Sequence, residues 1–287
     1  MNNILQKVVL KTWATEHDNF MNFSPGNFTL RNRPGPIDII SRVQQGFFVI
    51  AEVKKGSPSK GIIREDFHPG EIAAEYEKAG ASAISVITES HFFYGSKKYL
   101  EIVKNTVMLP VLRKDFLLHP FQVYESFNLG ADFLLLIAAC LTDLELEEFY
   151  RLTLSLGMQV LVEVHTLEEL KRVIRLKPRL IGINNRDLNS FKVNLQTSLE
   201  LKKHIPGDIF VISESGISSA EDLCLLRDAG FAGALIGEAL VRSADPGAVL
   251  QDLLHTDSRR VIKSFDQTFS KVWLPAGPPE AIKGESL

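Results

Sequence analysis

Eight short apolar runs recur along this chain, and each is followed by an amphipathic stretch with helical spacing. The apolar runs are Phe47–Val53, Ala83–Thr88, Leu109–Leu112, Asp132–Ala138, Gln159–Val164, Leu180–Asn184, Phe210–Glu214 and Ala234–Gly237. The helix-like stretches are Pro69–Ala79, Ser96–Asn105, Pro120–Leu129, Asp143–Leu156, Leu167–Arg175, Leu195–His204, Ser219–Ala229 and Asp245–Leu254. Strands that alternate with such helices indicate βαβ units and a parallel sheet. Eight units favour an α/β fold closed into a (βα)8 TIM barrel, although an open doubly wound sheet also fits the pattern.

Two segments fall outside the repeat. Residues 1–45 combine a helical piece with a Pro/Gly-rich stretch, and residues 257–287 contain the run Pro275–Pro279. We therefore expect an N-terminal helical extension over 1–45, a catalytic barrel over 46–256 and a loose C-terminal tail over 257–287.

Composition excludes several classes of protein. A net charge of −3 argues against a general nucleic-acid binder and gives no basic face for a membrane. The longest nearly apolar run, Ala131–Leu141, contains Asp132 and is shorter than the ~18 residues of a membrane span. Cys140 and Cys224 are too few for a disulfide scaffold, so we expect a cytoplasmic protein with two thiols.

Polar groups follow the apolar strands. Functional groups of a (βα)8 barrel lie at the carboxyl ends of the strands. The strand ends here carry Glu52, Lys54, Lys55, Arg113, Lys114, Asp115, Glu163, Asn184, Arg186, Ser213, Glu214, Ser215, Gly237 and Glu238. A single strand-end Lys or Glu is more often half of a surface ion pair. Together they predict one mouth where charged groups shift each other's pKa, as acid–base work requires.

Strand alternation refines this prediction. Side chains alternate faces with a period of two, so Glu52 and Lys54 share a face and Lys55 points the other way. On the third strand the pattern alone does not decide between Arg113 and Lys114. We also expect a desolvated lysine in this pocket to have a lowered pKa, so that it can release a proton.

The loops after the seventh and eighth strands carry a phosphate signal. Ser215-Gly216 and Gly237 each lead into a helix, where backbone N–H groups commonly hold phosphate. Carboxylates would repel that anion, so we expect the side chains of Glu214 and Glu238 to turn away. The loop Lys54–Gly61 adds positive charge and hydroxyl groups, although a solvated basic loop explains it equally well.

At these residues the chain resembles the indole-3-glycerol phosphate synthase family. The resemblance runs from about Phe47 to about Leu254, and its matching stretches are Ile50–Gly61, Leu112–Phe116, Leu161–His165, Ile181–Leu188, Ser213–Ile217 and Leu235–Leu240. It implies the substrate 1-(2-carboxyphenylamino)-1-deoxyribulose 5-phosphate, ring closure, and loss of carbon dioxide and water in tryptophan biosynthesis. It implies neither a metal nor an organic cofactor.

The resemblance also implies catalytic roles. Lys114 matches the general acid that protonates the carbonyl oxygen, and Lys54 would hold the substrate carboxylate and serve as a second proton donor. Glu163 matches a base or electrostatic stabiliser beside the anilino nitrogen. Glu52 and Asn184 would orient Lys54 and the sugar hydroxyls. The resemblance leaves open whether Glu52 or Glu163 takes the proton in dehydration.

A second set of residues matches substrate-binding positions. Ser57, Ser215, Gly216, Gly237 and Glu238 match the phosphate site, the last through its N–H. Phe93 and Phe116 match aromatic positions against the anthranilate ring, and Arg186 completes the expected substrate-binding set. The expected partner is this small sugar phosphate, with no nucleic acid or membrane; contacts with other tryptophan-pathway enzymes are not readable from sequence.

Three other functions fit a phosphate-binding barrel. A phosphoribosylanthranilate isomerase would be expected to carry a cysteine at the first strand end, where this chain has Glu52-Val53-Lys54. An aldolase would form a Schiff base on a lysine, and a non-catalytic barrel would only bind the sugar phosphate. Trp13–Phe28 departs from the family pattern, which leaves open whether the N-terminal segment covers the site.

Overall fold

The computed structural model describes residues 4–187 and 190–255. The strands are β1 (Phe48–Val53), β2 (Gly56–Ser57), β3 (Gly61–Ile62), β4 (Ala83–Ile87), β5 (Val111–Lys114), β6 (Phe133–Ile137), β7 (Gln159–Val164), β8 (Leu180–Asn184), β9 (Phe210–Glu214) and β10 (Gly233–Ile236). The α-helices are α1 (Ile4–Met21), α2 (Ile39–Val43), α3 (Pro69–Lys78), α4 (Lys97–Thr106), α5 (Pro120–Leu129), α6 (Asp143–Ser155), α7 (Leu167–Ile174), α8 (Gln196–Lys202), α9 (Ala220–Asp228) and α10 (Glu238–Val241). Residues 246–255 are also helical, and Pro25–Asn27 and Ala138–Cys140 form 3-10 turns.

Eight strands close into a barrel in the order β1, β4, β5, β6, β7, β8, β9, β10, with β10 paired to β1. Every neighbouring pair in this barrel is parallel. The short β2 and β3 form an antiparallel hairpin directly after β1. The predicted (βα)8 barrel is therefore confirmed, and the open sheet is excluded.

The barrel strands are buried on both faces, and their side chains divide into two apolar clusters. Val49 and Ala51 of β1 pack outward in the cluster beneath the helices. Phe48 and Ile50 alternate with them and belong to the barrel interior. Helix α2 packs into the same interior cluster, next to the first residues of several strands, and so closes the amino-terminal end of the barrel. The opposite end is left for polar groups.

Two local boundaries show why the strands and helices end where they do. The third barrel strand is Val111–Lys114, two residues later than the predicted Leu109–Leu112; Pro110, which has no N–H, precedes it. Helix α5 ends at Gly130, whose φ of 98° is left-handed and suits glycine at a helix C-terminus. The shift of β5 brings Lys114 into the strand itself.

The N-terminal extension contains the predicted helix, α1, and docks on the start of α5 through aromatic rings. Phe20 stacks on His119 with 4.5 Å between ring centroids. Around this pair lie Trp13, Phe23, Phe28, Phe121 and Tyr124. Within residues 4–187 and 190–255, none of the helices has the length and apolarity needed to cross a membrane. The domain limits at 45 and 256 stay predictions, and the expected tail over 257–287 lies outside the described residues.

A buried carboxylate ties the extension to the barrel. Asp132, fully buried before β6, accepts hydrogen bonds from the backbone N–H groups of Ile37 at 2.9 Å and Val111 at 2.8 Å. It also pairs with Lys104 at 2.6 Å and Arg33 at 3.6 Å. Each of these four groups loses its anionic partner if the carboxylate is removed.

We therefore expect Asp132→Ala to lower the free energy of unfolding by roughly 3 kcal/mol or more, because partners of a buried charge are left unpaired. Urea unfolding followed by circular dichroism measures the change. The matched control is Asp143→Ala, whose carboxylate pairs with Arg172 at 2.6 Å but is 61% exposed. That variant should lose no more than about 1 kcal/mol. Equal losses in the two variants would contradict the assigned role of Asp132.

Candidate active site

Lys114 occupies the centre of a charged cluster at the carboxyl end of the barrel. Its Nζ lies 2.8 Å from Glu214 Oε2, 3.6 Å from Glu163 Oε2 and 3.8 Å from Glu52 Oε2. These groups come from four different strands, β5, β9, β7 and β1. The three carboxylate side chains are at most 5% exposed, so water screens their interaction with the ammonium group only weakly.

The alternation of side chains explains this convergence. Phe48, Ile50 and Glu52 follow one face of β1, and Leu112 and Lys114 follow the interior face of β5. Arg113 therefore points outward, which resolves the alternative that the sequence left open. Lys54 Nζ lies 2.7 Å from Glu52 Oε1, which confirms that these two side chains share a face. The apolar side chains of each strand thus fill the barrel interior below the charged groups, which lie at its carboxyl end.

The lysine pKa differs from our expectation. Burial disfavours the charge on Lys114, but the neighbouring carboxylates of Glu214, Glu163 and Glu52 outweigh burial and raise its pKa above the ordinary value. The expectation of a lowered pKa was therefore wrong for this lysine. We expected burial to lower the lysine pKa, but three carboxylates meet at this ammonium group and raise it. Lys114 is a full ammonium ion at neutral pH.

Two of these carboxylates have pKa values that move in opposite directions. For Glu163, burial is outweighed by Lys114 and by the side chains of His165 and Asn184, which lower its pKa to about 2. For Glu214, burial and the charge of Glu163 raise the pKa to about 7 despite the ion pair with Lys114. The site therefore holds one permanent carboxylate beside one that changes protonation near neutral pH.

Glu214 is a member of the charged cluster to which our sequence analysis gave no catalytic role. We placed it among the strand-end polar groups and expected its side chain to turn away from phosphate; that side chain lies in the barrel, fully buried against Lys114. Strand alternation was the available signal: Ile212 belongs to the barrel interior, and Glu214 lies two residues further along β9.

Two glycines make room for the carboxylates. A Cβ on Gly182 would collide with Glu214 Oε1, and a Cβ on Gly237 would collide with Glu52 Oε1. Both glycines face the interior, so the glutamate side chain of the neighbouring strand lies over a stretch of backbone that carries no side chain. The position of the acid–base groups depends on these absent side chains as much as on the charged residues.

The expected anion site lies beside the charged cluster. Ser215 and Gly216 have left-handed φ values of 65° and 80°, so the backbone turns sharply as β9 ends. They line one cavity together with Gly237, Arg186 and Lys54. The backbone bend and the two cations at this rim suit an anion.

Glu238 stands at the same rim, and it does not turn away as we expected. Its carboxylate lies 2.7 Å from Lys60, 3.2 Å from Arg186 and 3.1 Å from Arg242. These cations outweigh its partial burial and lower its pKa. The three cations explain why a carboxylate is tolerated where an anion is expected.

An apolar cavity adjoins the cluster on the other side. Phe93 and Phe116 line it, with 6.2 Å between their ring centroids, and Ser57 lies at its edge. The Glu89 carboxylate accepts the backbone N–H groups of His91, Phe92 and Phe93 at 2.8–2.9 Å, which fixes the loop that carries the Phe93 ring. Glu89 is a further residue that the sequence did not single out.

Helix α1 covers this cavity. Ile4, Leu5 and Val8 line it, and Val8 is only 1% exposed. The helix thereby adds apolar wall above the charged groups. All the predicted site residues line one or both of the two adjoining cavities: Glu52, Lys54, Ser57, Phe93, Lys114, Phe116, Glu163, Asn184, Arg186, Ser215, Gly216, Gly237 and Glu238.

Fold and site together define a (βα)8 barrel with a buried cluster of one ammonium group and three carboxylates beside a rim that carries cations. The model of the family described as indole-3-glycerol phosphate synthase matches residues 29–253, so the chain belongs to that family. It is similar to the indole-3-glycerol phosphate synthases of Carboxydothermus hydrogenoformans, with 52% identity covering 72% of this chain and 78% of the relative, and of Legionella pneumophila, with 44% identity covering 88% and 99%.

Solved structures of other barrels support the fold alone. The 3-hexulose-6-phosphate synthase from Salmonella typhimurium is similar with a TM-score of 0.61 and 12% identity, covering 74% of this chain and 99% of that one. A KGPDC from Streptococcus mutans is similar with a TM-score of 0.58 and 12% identity, covering 75% and 99%.

The space that Gly182 leaves for the Glu214 carboxylate gives a test of the site geometry. Gly182→Ala should displace the Glu214 carboxylate from Lys114 and lower synthase activity by about 10²-fold, on the scale of a lost catalytic electrostatic contact. Gly207→Ala is the control, because a Cβ there meets nothing within 4 Å. Steady-state rates and thermal melting of both variants are compared. Full activity in folded Gly182→Ala would show that the Glu214 position does not matter.

Proposed function

We propose that this chain converts 1-(2-carboxyphenylamino)-1-deoxyribulose 5-phosphate to indole-3-glycerol phosphate, with loss of carbon dioxide and water. The observation that carries the proposal is the Lys114 ammonium, held at the barrel centre by three carboxylates between an anion rim and an apolar cavity. This layout suits a substrate with an aromatic ring at one end and a phosphate at the other. The chain has only two cysteines, too few for a disulfide scaffold, so we also propose a cytoplasmic location.

Lys114 is the proposed general acid for ring closure. As the aromatic carbon attacks the ribulose carbonyl, negative charge develops on the carbonyl oxygen, and an adjacent ammonium group stabilises and protonates it. The raised pKa guarantees that the proton is present, and the growing charge on the oxygen draws it across. Lys54, paired with Glu52 at 2.7 Å, is proposed to hold the substrate carboxylate and to protonate the departing hydroxyl in dehydration.

The carboxylates of Glu163 and Glu214 are proposed to have different roles in the remaining steps. Glu163, with a pKa lowered to about 2, is a weak proton acceptor and is proposed to stabilise positive charge that develops at the anilino nitrogen. Glu214, with a pKa raised to about 7, is the carboxylate best matched to accept a proton at neutral pH. We therefore add Glu214 to Glu52 and Glu163 as a candidate for the dehydration base, and we propose it in preference to Glu163. Asn184 orients Glu163 through its amide.

The rim is proposed to bind the phosphate through the backbone N–H groups of Gly216 and Gly237, the Ser215 hydroxyl and Arg186. A dianion there competes with Glu238 for its cations and supplies binding energy remote from the reacting carbon. Ser57, at the edge of the apolar cavity, is proposed to contribute its hydroxyl to phosphate binding, and Phe93 and Phe116 are proposed to pack against the anthranilate ring. Decarboxylation is favoured because the apolar wall desolvates the carboxylate.

Lys114→Ala should lower kcat by at least ~10²-fold while the protein still binds substrate, because the proton donor is lost. Lys114→Arg retains the charge but does not release a proton, so we expect a similar loss. Indole fluorescence during incubation with the carboxyphenylamino substrate measures turnover. The control is Lys203→Ala, which removes a lysine that is 64% exposed. Near-normal turnover in either Lys114 variant would reject the acid role.

Ser215→Asp should raise KM at least tenfold with a smaller effect on kcat, because it adds negative charge at the phosphate rim. Ser215→Gly is the matched control, since glycine accepts the φ of 65° and adds no charge. Initial rates at varied substrate concentration measure both variants. An unchanged KM in Ser215→Asp would move the phosphate site elsewhere.

A further inference from the structure

His165 connects the charged cluster to a carboxylate outside it. The residue follows β7 directly, and its side chain is 7% exposed. Its Nε2 lies 3.2 Å from Glu163 Oε1, and its Nδ1 lies 3.3 Å from Glu169 Oε2. Glu169, in the first turn of α7, also accepts the backbone N–H of His165 at 2.7 Å. Hydrogen bonds to Glu169 therefore orient the ring, and the Glu163 carboxylate lies at ion-pair distance from Nε2 without a hydrogen bond to it.

The ring chemistry follows from this placement. A neutral imidazole carries one N–H, so one nitrogen would direct a lone pair at a carboxylate, whereas an imidazolium ion presents a proton to each. The Cys140 thiol also lies near Glu163 and Glu169, but burial raises its pKa, so it stays neutral and adds no charge. Burial opposes the charge on His165, yet Glu163 and Glu169 outweigh it and raise its pKa to about 10.

The protonation state of Glu163 depends on the charges around Lys114. Glu52, Glu163 and Glu214 carry three negative charges when ionised, and Lys54 and Lys114 carry two positive charges. The groups that face Glu163 are Lys114 from β5, Asn184 from β8, Glu214 from β9 and His165. Of the two cations, His165 lies closer, at 3.2 Å against 3.6 Å, and it contacts the other carboxylate oxygen.

We propose that His165 is a positioning residue: a permanent imidazolium ion, oriented by Glu169, that holds Glu163 ionised and aimed at the barrel centre. The inference rests on the proposed function and deepens it. Without this cation, Glu163 and Glu214 would share a proton, and Lys114 would be drawn toward whichever carboxylate remained charged. The His165 imidazolium thus keeps Glu163 and Glu214 in different protonation states.

The alternative is that His165 passes protons between Glu169 and Glu163. Transfer to Glu163 would run from a group with a pKa of about 10 to one with a pKa of about 2. The directions of both pKa shifts, raised for His165 and lowered for Glu163, oppose that transfer. The fixed charge is therefore the role that the geometry favours.

A titration without substrate tests the protonation state. Two-dimensional ¹⁵N NMR of the histidine rings, assigned with His165→Gln, should show both His165 nitrogens protonated from about pH 5.5 to about pH 8.5. A ring that loses its proton in the neutral range would overturn the proposal. Because the measurement uses no substrate, it stands even if the proposed reaction is not observed.

Kinetics of two variants test the consequence. Removing a nearby cation raises the pKa of the carboxylates, so His165→Gln should lower kcat about tenfold with KM changed less than about twofold, and should move the acid limb of the kcat profile to higher pH. Glu169→Gln lowers the pKa of His165. It should therefore match the parent protein at about pH 6 and His165→Gln at about pH 9, because the imidazolium is lost as pH rises.

The control is His204→Gln, an exposed histidine at the end of α8, which should leave the profile unchanged. A merely structural role for His165 predicts a uniform loss at every pH with a lowered melting temperature and no movement of the acid limb. That result would contradict the proposal, as would a Glu169→Gln profile parallel to that of the parent protein. A proton relay predicts instead a solvent isotope effect on kcat that His165→Gln abolishes.

Discussion

The site depends on one constraint, the alternation of side chains along strands that close into a barrel. Ile50 and Leu112 seal the interior as apolar floor, and the next residues on the same faces, Glu52 and Lys114, meet above that floor. The barrel brings strands distant in sequence side by side, so the charges gather without any long loop. Because the three carboxylates are at most 5% exposed, water screens their attraction to the Lys114 ammonium group only weakly. Glycines on neighbouring strands then leave the space that the carboxylates of Glu52 and Glu214 occupy.

Arg113, on the outer face of β5, anchors the strand that carries Lys114 on its inner face. Arg113 is fully buried under the helices and pairs with Asp115 at 3.1 Å and Glu125 at 2.9 Å. Glu125 also binds Lys97, which reaches Glu16 on α1 at 2.6 Å. A chain of ion pairs therefore runs from the covering helix to the residue next to Lys114. Strand β5 therefore places Lys114 in the site, while the neighbouring Arg113 links the strand to α5 and, through Glu125 and Lys97, to α1.

The sequence was enough to predict the barrel and many of the residues that line its two adjoining cavities, because both follow local rules. Periodic apolar runs predict strands, and strand ends predict where polar groups meet. Glu214 was missed because we judged it by its neighbour, the phosphate loop, and not by its face of β9. The raised pKa of Lys114 was missed because it results from three residues that are 49 to 100 positions away in the chain, and no sequence pattern gives their distances from Lys114. The packing of Ile4 and Val8 on the cavity was unreadable for the same reason.

The two carboxylates beside Lys114 affect stability in opposite ways. The folded-state pKa of Glu163 is about 2, below its ordinary value of 4.5, so it stabilises the fold above pH 4.5 and loses that contribution as pH falls toward 2. The pKa of Glu214 is raised from 4.5 to about 7, so its contribution becomes less favourable as pH rises between those values. Near neutral pH the site thus combines a carboxylate that favours folding with one that opposes it. The apolar floor and the outer ion pairs of β5 allow the barrel to hold Glu214 in that state, because they stabilise the strands without depending on its charge.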